Sequence, residues 1–320
     1  MKKDLLTILD LTKQDILAIL QRAKELKEDL KAGMPHQTLQ GKTMAMMFQK
    51  PSTRTRVSFQ TGLFQMGGQA LDLNMDDLQI GRGEPIRDTA RVLSRYVDII
   101  LVRTFKQKEV EDLARHAVIP VINGLTDLFH PCQVLSDLFT IQEHLKSLEG
   151  AIIAYVGDGN NVAHSLLTAA GVIGLDLRMA CPAGFGPDRA IVECVQVLAR
   201  QSGSKIQISE DPKEAVSGAN VVYTDVWISM GQEREAEEKR RLFNGFQINR
   251  DLLKAARPDA LIMHCLPAHR GEEITEDVLE GENSVVFDQA ENRLHVQKAI
   301  VEILIKKNER DRGCQRKNQI

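Results

Sequence analysis

Short apolar runs alternate with helix-patterned stretches along almost the whole chain, and that alternation leaves few folds open other than parallel sheets covered by helices. Residues 43–48, 98–102 and 118–122 read as strands, and 54–66 and 86–96 between them read as helices. A helix comes first: Thr12 with Asp15 marks its start, Ile16, Ile19, Leu20, Ala23, Leu26 and Leu30 recur at helical spacing, and Gly33 closes it. A long helical pattern over about 132–148 leads to Gly150, where the alternation begins again. Strands are predicted at 151–156, 175–179, 206–208, 221–224, 261–263 and 285–287, with helices at 162–172 and near 189–201. A final helix over about 290–306 carries Leu294, Val296, Ile300, Val301, Ile303 and Leu304 on several sides, so it is expected to pack between other elements, and the polar tail beyond it to fray.

The expected fold is therefore α/β, with two doubly wound parallel-sheet domains. The first spans 1–148 and is joined by the C-terminal helix, about 290–308; the second spans 149–289; and 309–320 is a polar tail. A chain of 320 residues with 43% hydrophobic content is long enough for two such cores. The densely charged segment 232–241 reads as a solvated helix face.

Charge excludes several function classes. With 41 basic and 44 acidic residues, a net charge of -3 gives no field suited to nucleic acid or an anionic membrane, so small molecules or further copies of the chain are the expected partners. No signal peptide is read at the start, and no run approaches the roughly 18 apolar residues of a membrane span. Five cysteines without a CxxC pair argue against a disulfide framework and a structural zinc site, and fit a reducing cytoplasm.

One segment carries a distinct chemical signal. Lys50-Pro51-Ser52-Thr53-Arg54-Thr55-Arg56 follows a predicted strand and opens a predicted helix, so hydroxyls, backbone N–H groups and guanidinium groups converge where the helix dipole is positive. That is an anion cradle without the spacing of a nucleotide P-loop. Gly157-Asp158-Gly159-Asn160-Asn161, with Asp176 further on, superficially copies a dinucleotide fingerprint, but Val162 stands where its third glycine belongs.

Ser52-Thr53-Arg54-Thr55-Arg56 resembles the carbamoyl phosphate loop of the aspartate and ornithine carbamoyltransferase superfamily. His130-Pro131-Cys132-Gln133 resembles its carbamoyl-binding turn, and the remaining motifs follow in the family's order over roughly residues 6–305. The resemblance implies that Ser52, Thr53, Arg54, Thr55, Arg103, His130, Gln133, Cys265, Leu266 and Arg293 bind carbamoyl phosphate, joined by Gln79 from a Gly-rich loop. Physically, arginines would stabilise the charge gathering on departing phosphate, and His130 would polarise the carbamoyl carbonyl.

Asp225-Val226-Trp227-Ile228-Ser229-Met230-Gly231 and His264-Cys265-Leu266-Pro267 are similar to the acceptor loop and catalytic turn of the family's ornithine-using members. Ornithine binding by Asn161, Asp225, Ser229 and Met230 is implied, with Cys265, Asp225, Arg103 and His130 as catalytic residues. An amine with a pKa of about 10.4 arrives as an ammonium and must lose a proton before attack, which Asp225 and Cys265 would provide for. The implied reaction yields citrulline and phosphate at a cleft between the domains, without metal or organic cofactor, in a homotrimer whose neighbouring copy contributes Gln79. Putrescine is the alternative acceptor, although that group's tyrosine-containing loop is absent here. Aspartate would require cationic groups in place of Asp225, and a non-catalytic relative would lack Arg54, His130, Asp225 or Cys265.

Overall fold

The computed structural model describes residues 1–228 and 236–317. The chain divides into two compact units, one of Met1–Ser136 with Asn292–Ile320 and one of Asp137–Glu291.

In the first unit, strands β1 (Thr43–Phe48), β2 (Gln69–Asn74), β3 (Ile99–Arg103) and β4 (Val121–Leu125) form a parallel sheet in the order β2-β1-β3-β4. Helices α1 (Lys13–Lys31), α2 (Thr53–Gln65), α3 (Ile86–Tyr96) and α4 (Gln107–His116) connect or flank them, and α5 (Pro131–Leu145) leads into the second unit. The central strands are apolar on both faces because helices cover both: all five residues of β3 are buried. The edge strand β2 is exposed or half-buried throughout, and its polar alternation explains why no apolar run betrays it in the sequence. Thr12 begins α1 as expected, its side chain and that of Asp15 capping each other's backbone N–H groups.

The second unit holds β5 (Ile152–Val156), β6 (Asp176–Ala180), β7 (Ile206–Ser209), β8 (Val221–Thr224) and β9 (Leu261–His264), all parallel in the order β7-β6-β5-β8-β9. Its helices are α6 (Asn161–Ile173), α7 (Arg189–Ser202), α8 (Pro212–Val216), α9 (Ala236–Leu242), α10 (Arg250–Leu253) and α11 (Glu276–Leu279). Helix α12 (Val286–Lys317) then returns the chain to the first unit.

Three expectations need correction. Residues 285–287 are not a strand: after an isolated bridge between Ile262 and Ser284 the chain enters α12 at Val286, which packs in the core while Phe287 is exposed. A run of three apolar residues fits either element, and here it is the first turn of a helix. The last helix does not end near 306 but continues to Lys317, with a Lys307–Asp311 ion pair on its polar extension. In the charged segment 232–241, residues 232–235 lie outside the described residues, while Lys239 in α9 is only 4% exposed instead of solvated.

In each sheet the strand order reverses once, between β1 and β3 and between β5 and β8. Open α/β sheets place ligands at the carboxyl ends of the strands at such points.

Candidate active site

In the first unit, β1 ends at Phe48 beside Arg103, the last residue of β3, and the chain passes through Lys50 and Ser52 into α2. Ser52 is the N-cap: its hydroxyl accepts the Thr55 N–H at 3.2 Å, as the Ser/Thr-rich sequence there demands. Arg54 is half-buried and Thr53 exposed on the first turn. Arg56 turns elsewhere, pairing with Asp72 at 2.7 Å and lying over the Phe48 ring, so it braces β1 and β2.

Arg293 joins this turn from α12. It is 3% exposed, donates from Nη2 to Thr55 Oγ1 at 2.8 Å, donates from Nη1 to Gln133, and sets Nη1 3.4 Å from His130 Nε2. Burial, and then the charges of Arg293, Arg103 and Arg54, hold His130 well below the usual histidine range. His130 is therefore neutral. With Nε2 facing a guanidinium donor, its proton belongs on Nδ1, which can donate to an oxygen. The guanidinium groups of Arg293, Arg103 and Arg54 gather around His130, an arrangement suited to a compact dianion. Six of the residues expected around carbamoyl phosphate thus come together: Thr55, Gln133, His130 and Arg293 by hydrogen bonds, and Arg54 and Arg103 by their field. Gln79 does not join them; it is exposed on a short 3-10 turn, Gln79–Arg82, and shares none of these bonds.

In the second unit, Asp225 directly follows β8 and is 6% exposed. Its Oδ1 accepts the Val226 N–H at 2.8 Å and the Cys265 thiol at 2.9 Å, and its Oδ2 accepts Asn160 Nδ2 at 2.7 Å. Asn160 was not singled out from the sequence. It caps α6 through its Oδ1, which accepts the N–H groups of Val162 and Ala163, and this leaves its amide nitrogen directed at Asp225. The signal was available in its position immediately before an apolar helical run, but the adjacent Asn161 offered the same side chain. Asn161 is half-buried at the start of α6, and Ser229 and Met230 lie outside the described residues.

Cys265 and Leu266 follow β9. His264 accepts the Leu266 N–H on Nδ1 at 2.8 Å, which places its own proton on Nε2 for donation to the buried Glu273 Oε1 at 3.0 Å. Gln289 accepts the His264 N–H and donates to Asp137, tying β9 to the interior. Leu266 adopts a left-handed backbone with φ of 57°, a conformation costing a non-glycine residue on the order of 1–3 kcal/mol and held here by the His264 bond. Because the Leu266 N–H is engaged, any backbone contact from Leu266 to a ligand amine falls to its carbonyl. Asp225, His264 and Cys265 bring potential metal ligands within 4.8 Å of one another, but both His264 nitrogens are already bonded and ligation would displace one of them.

A guanidinium-rich anion cradle on one doubly wound unit, with a carboxylate–thiol pair at the switch point of another, defines a group-transfer enzyme with an anionic donor. The carbamoyl-P binding domain of aspartate/ornithine carbamoyltransferase matches residues 3–143, and the Asp/Orn binding domain matches 149–304. The chain belongs to the aspartate/ornithine carbamoyltransferase family. It is 55% identical over 303 residues to the ornithine carbamoyltransferase of Pyrococcus abyssi, covering 95% of this chain and 96% of that protein. The anabolic ornithine carbamoyltransferase of Pyrococcus furiosus is 55% identical with the same coverage. The solved ornithine carbamoyltransferase structure from Pyrococcus furiosus superposes with a TM-score of 0.91 at 56% identity, over 93% of this chain and 95% of that one. The anabolic enzyme from Campylobacter jejuni gives 0.91 at 42% identity, over 96% and 100%.

Proposed function

We propose that the chain is an ornithine carbamoyltransferase: the side-chain amine of L-ornithine attacks the carbamoyl carbon of carbamoyl phosphate, the bond to the phosphate oxygen breaks, and L-citrulline and phosphate leave. The observation that supports this acceptor best is the Asp225–Cys265 pair, with Sγ 2.9 Å from Oδ1. The anion cradle would serve any acceptor in the family, whereas a buried carboxylate favours one that arrives as a cation.

In this reading Ser52, Thr53, Arg54, Thr55, Arg103 and Arg293 bind the phosphate and stabilise its growing charge as it departs. Neutral His130 donates to the carbamoyl oxygen and so stabilises the tetrahedral oxyanion, and Gln133 binds the carbamoyl amide. Asp225 attracts the ammonium of ornithine; its proton passes to the Asp225–Cys265 pair, the freed lone pair attacks, and the nitrogen's second proton leaves with the departing phosphate as the tetrahedral intermediate collapses. Cys265 and the Leu266 carbonyl contact the reacting nitrogens, while Asn161, Ser229 and Met230 take the α-amino and α-carboxylate ends. The residues of 1–148, joined by those of the C-terminal helix at about 290–308, serve the donor, and those of 149–289 serve the acceptor. Synthesis of citrulline, the direction named for the anabolic relatives, is the proposed direction, in the cytoplasm.

A homotrimer follows from the same reading, with Gln79 serving a neighbouring copy. In support, Gln79 is exposed and takes no part in the hydrogen bonds of its own cradle.

The deciding assay offers carbamoyl phosphate with ornithine, putrescine or aspartate in parallel, beside Cys265→Ala. Citrulline from ornithine alone, reduced on the order of a hundredfold or more in the variant, is expected for loss of a proton-accepting group. Dominant turnover of putrescine would reassign the acceptor while leaving the donor site intact, and no product from any amine would overturn the proposal.

A further inference from the structure

A lysine in the midst of a charged, exposed-looking sequence has no reason to be buried unless something inside requires its ammonium. Lys239 of α9 donates to Asp158 Oδ2 at 2.9 Å and to the Trp227 carbonyl at 3.0 Å, and its Nζ lies 5.2 Å and 5.8 Å from the ring centroids of Phe185 and Phe243. Two strong acceptors and two aromatic rings offset the cost of taking the charge out of water. Its two acceptors belong to different loops. Asp158 lies just past β5, two residues before Asn160; Trp227 lies just past β8, two residues after Asp225.

We propose that Lys239 is a positioning residue for the acceptor site, its ammonium cross-tying the two loops at the β5–β8 switch point so that Asn160 and the backbone hold Asp225 in place to receive the cationic substrate. The inference rests on the acceptor reading given above. Both loops converge on the same carboxylate: Asn160 from one and the Val226 N–H from the other bond to the two oxygens of Asp225. The Asp158 backbone carbonyl is itself fixed by the Tyr155 hydroxyl at 2.8 Å, so the cross-tie acts on a braced loop. Electrostatics point the same way. Burial pushes the Asp158 carboxyl up, Lys239 opposes that, and the charge of Asp225 adds to the upward push, so the two carboxylates feel each other. Without the ammonium, a stranded Asp158 would either take a proton or repel Asp225, and the tie to Trp227 would be lost.

The consequence is specific to one substrate. Asp158, Asn160, Asp225, Trp227 and Lys239 all lie within the second unit, whereas the guanidinium cradle lies in the first. Steady-state kinetics of Lys239→Met, Lys239→Arg, Asp158→Asn and the Lys239→Met/Asp158→Asn double variant test it. Methionine keeps the length and the packing against Phe185 and Phe243 while deleting the charge. KM for ornithine is expected to rise about tenfold or more in Lys239→Met, with KM for carbamoyl phosphate within about twofold of wild type. Lys239→Arg should recover part of the loss, and the double variant should be less impaired than the product of the two single effects, because it leaves no stranded carboxylate. An ornithine KM within twofold of wild type in a folded Lys239→Met protein overturns the inference, as does an equal rise in both KM values, or a fall in kcat alone that tracks the folded fraction. Should Lys239→Met not fold, Asp158→Asn is read by the same criteria. Wild-type protein that makes no citrulline would instead defeat the acceptor reading, which separates the two failures.

Discussion

Burial and three guanidinium groups act on His130 in the same direction, and the result is measurable as stability as well as chemistry. Its native pKa lies well below 6.5 while the unfolded chain titrates near that value, so as pH falls past 6.5 the unfolded state takes up a proton that the native state refuses. Stability is therefore complete above pH 6.5 and declines below it, with a slope of at most about 1.4 kcal/mol per pH unit from this residue. Urea unfolding followed at pH 7.5 and 5.5 should show that loss in the wild type. A His130→Gln variant, less active throughout because the carbonyl donor is altered, should lose less stability over the same interval; an unchanged pH dependence would show that other groups dominate. The same neutrality is what the proposed chemistry uses, since an imidazolium would add a further positive charge beside the three guanidinium groups that already act on it.

At the scale of elements, the glycine-rich loop between β5 and α6 copies a dinucleotide fingerprint only superficially, and packing accounts for one of its glycines. Gly159 imitates a nucleotide fingerprint, yet the structure uses it for contact with protein: a Cβ there would sit 2.3 Å from backbone atoms of Gly186 and Pro187, which cannot move aside as a flexible side chain could. Gly159→Ala is expected to cost at least about 2 kcal/mol and to raise the ornithine KM, because the displaced loop also carries Asp158 and Asn160. Thermal melting with acceptor titration would check both, and a stable variant with normal kinetics would contradict the assigned packing. Elsewhere the alternating pattern and the caps Thr12 and Ser52 made most buried strands and their following helices legible, because local chemistry and burial agree there. What escaped has a common cause in tertiary context. Edge strand β2 lacks an apolar run because it pairs with a single neighbouring strand; Val285 and Val286 are buried where the chain enters a helix and not in a strand; Lys239 is buried with partners 81 and 12 residues away in sequence. In the first unit the hydrogen-bonded group of Thr55, His130, Gln133 and Arg293, and in the second the Asp225–Cys265 pair, consist of residues that their motifs had already marked as candidates. Asn160, Asp158 and Glu273 were not, since each bonds to another side chain; the first two were noted only within the loop that imitates a dinucleotide fingerprint, and Glu273 lies in no motif.

Whole-molecule organisation bears on Gln79, which is exposed and shares none of the hydrogen bonds of the arginine cradle. The exposed apolar side chains Val57 and Phe64 of α2, the latter 80% exposed, supply the kind of surface on which copies associate. Three chains of 35.8 kDa would give a particle of roughly 107 kDa by light scattering. Mass alone would not tell whether sites are shared, but complementation would. Gln79→Ala and Cys265→Ala chains should each be weakly active in isolation. If Gln79 serves a neighbour, then after the two are unfolded and refolded together a Gln79→Ala chain keeps its own Cys265 and can receive Gln79 from an adjacent Cys265→Ala chain, so a complete site forms. Random assembly from equal amounts makes about one quarter of all sites complete, and the mixture should recover activity approaching that fraction of wild type. If each chain instead uses its own Gln79, no arrangement of the two variants contains a complete site and the mixture stays at the average of its parents. Recovery therefore depends on the geometry of sharing and not on trimer formation as such, which makes a trimer without recovery the outcome that rejects the shared site.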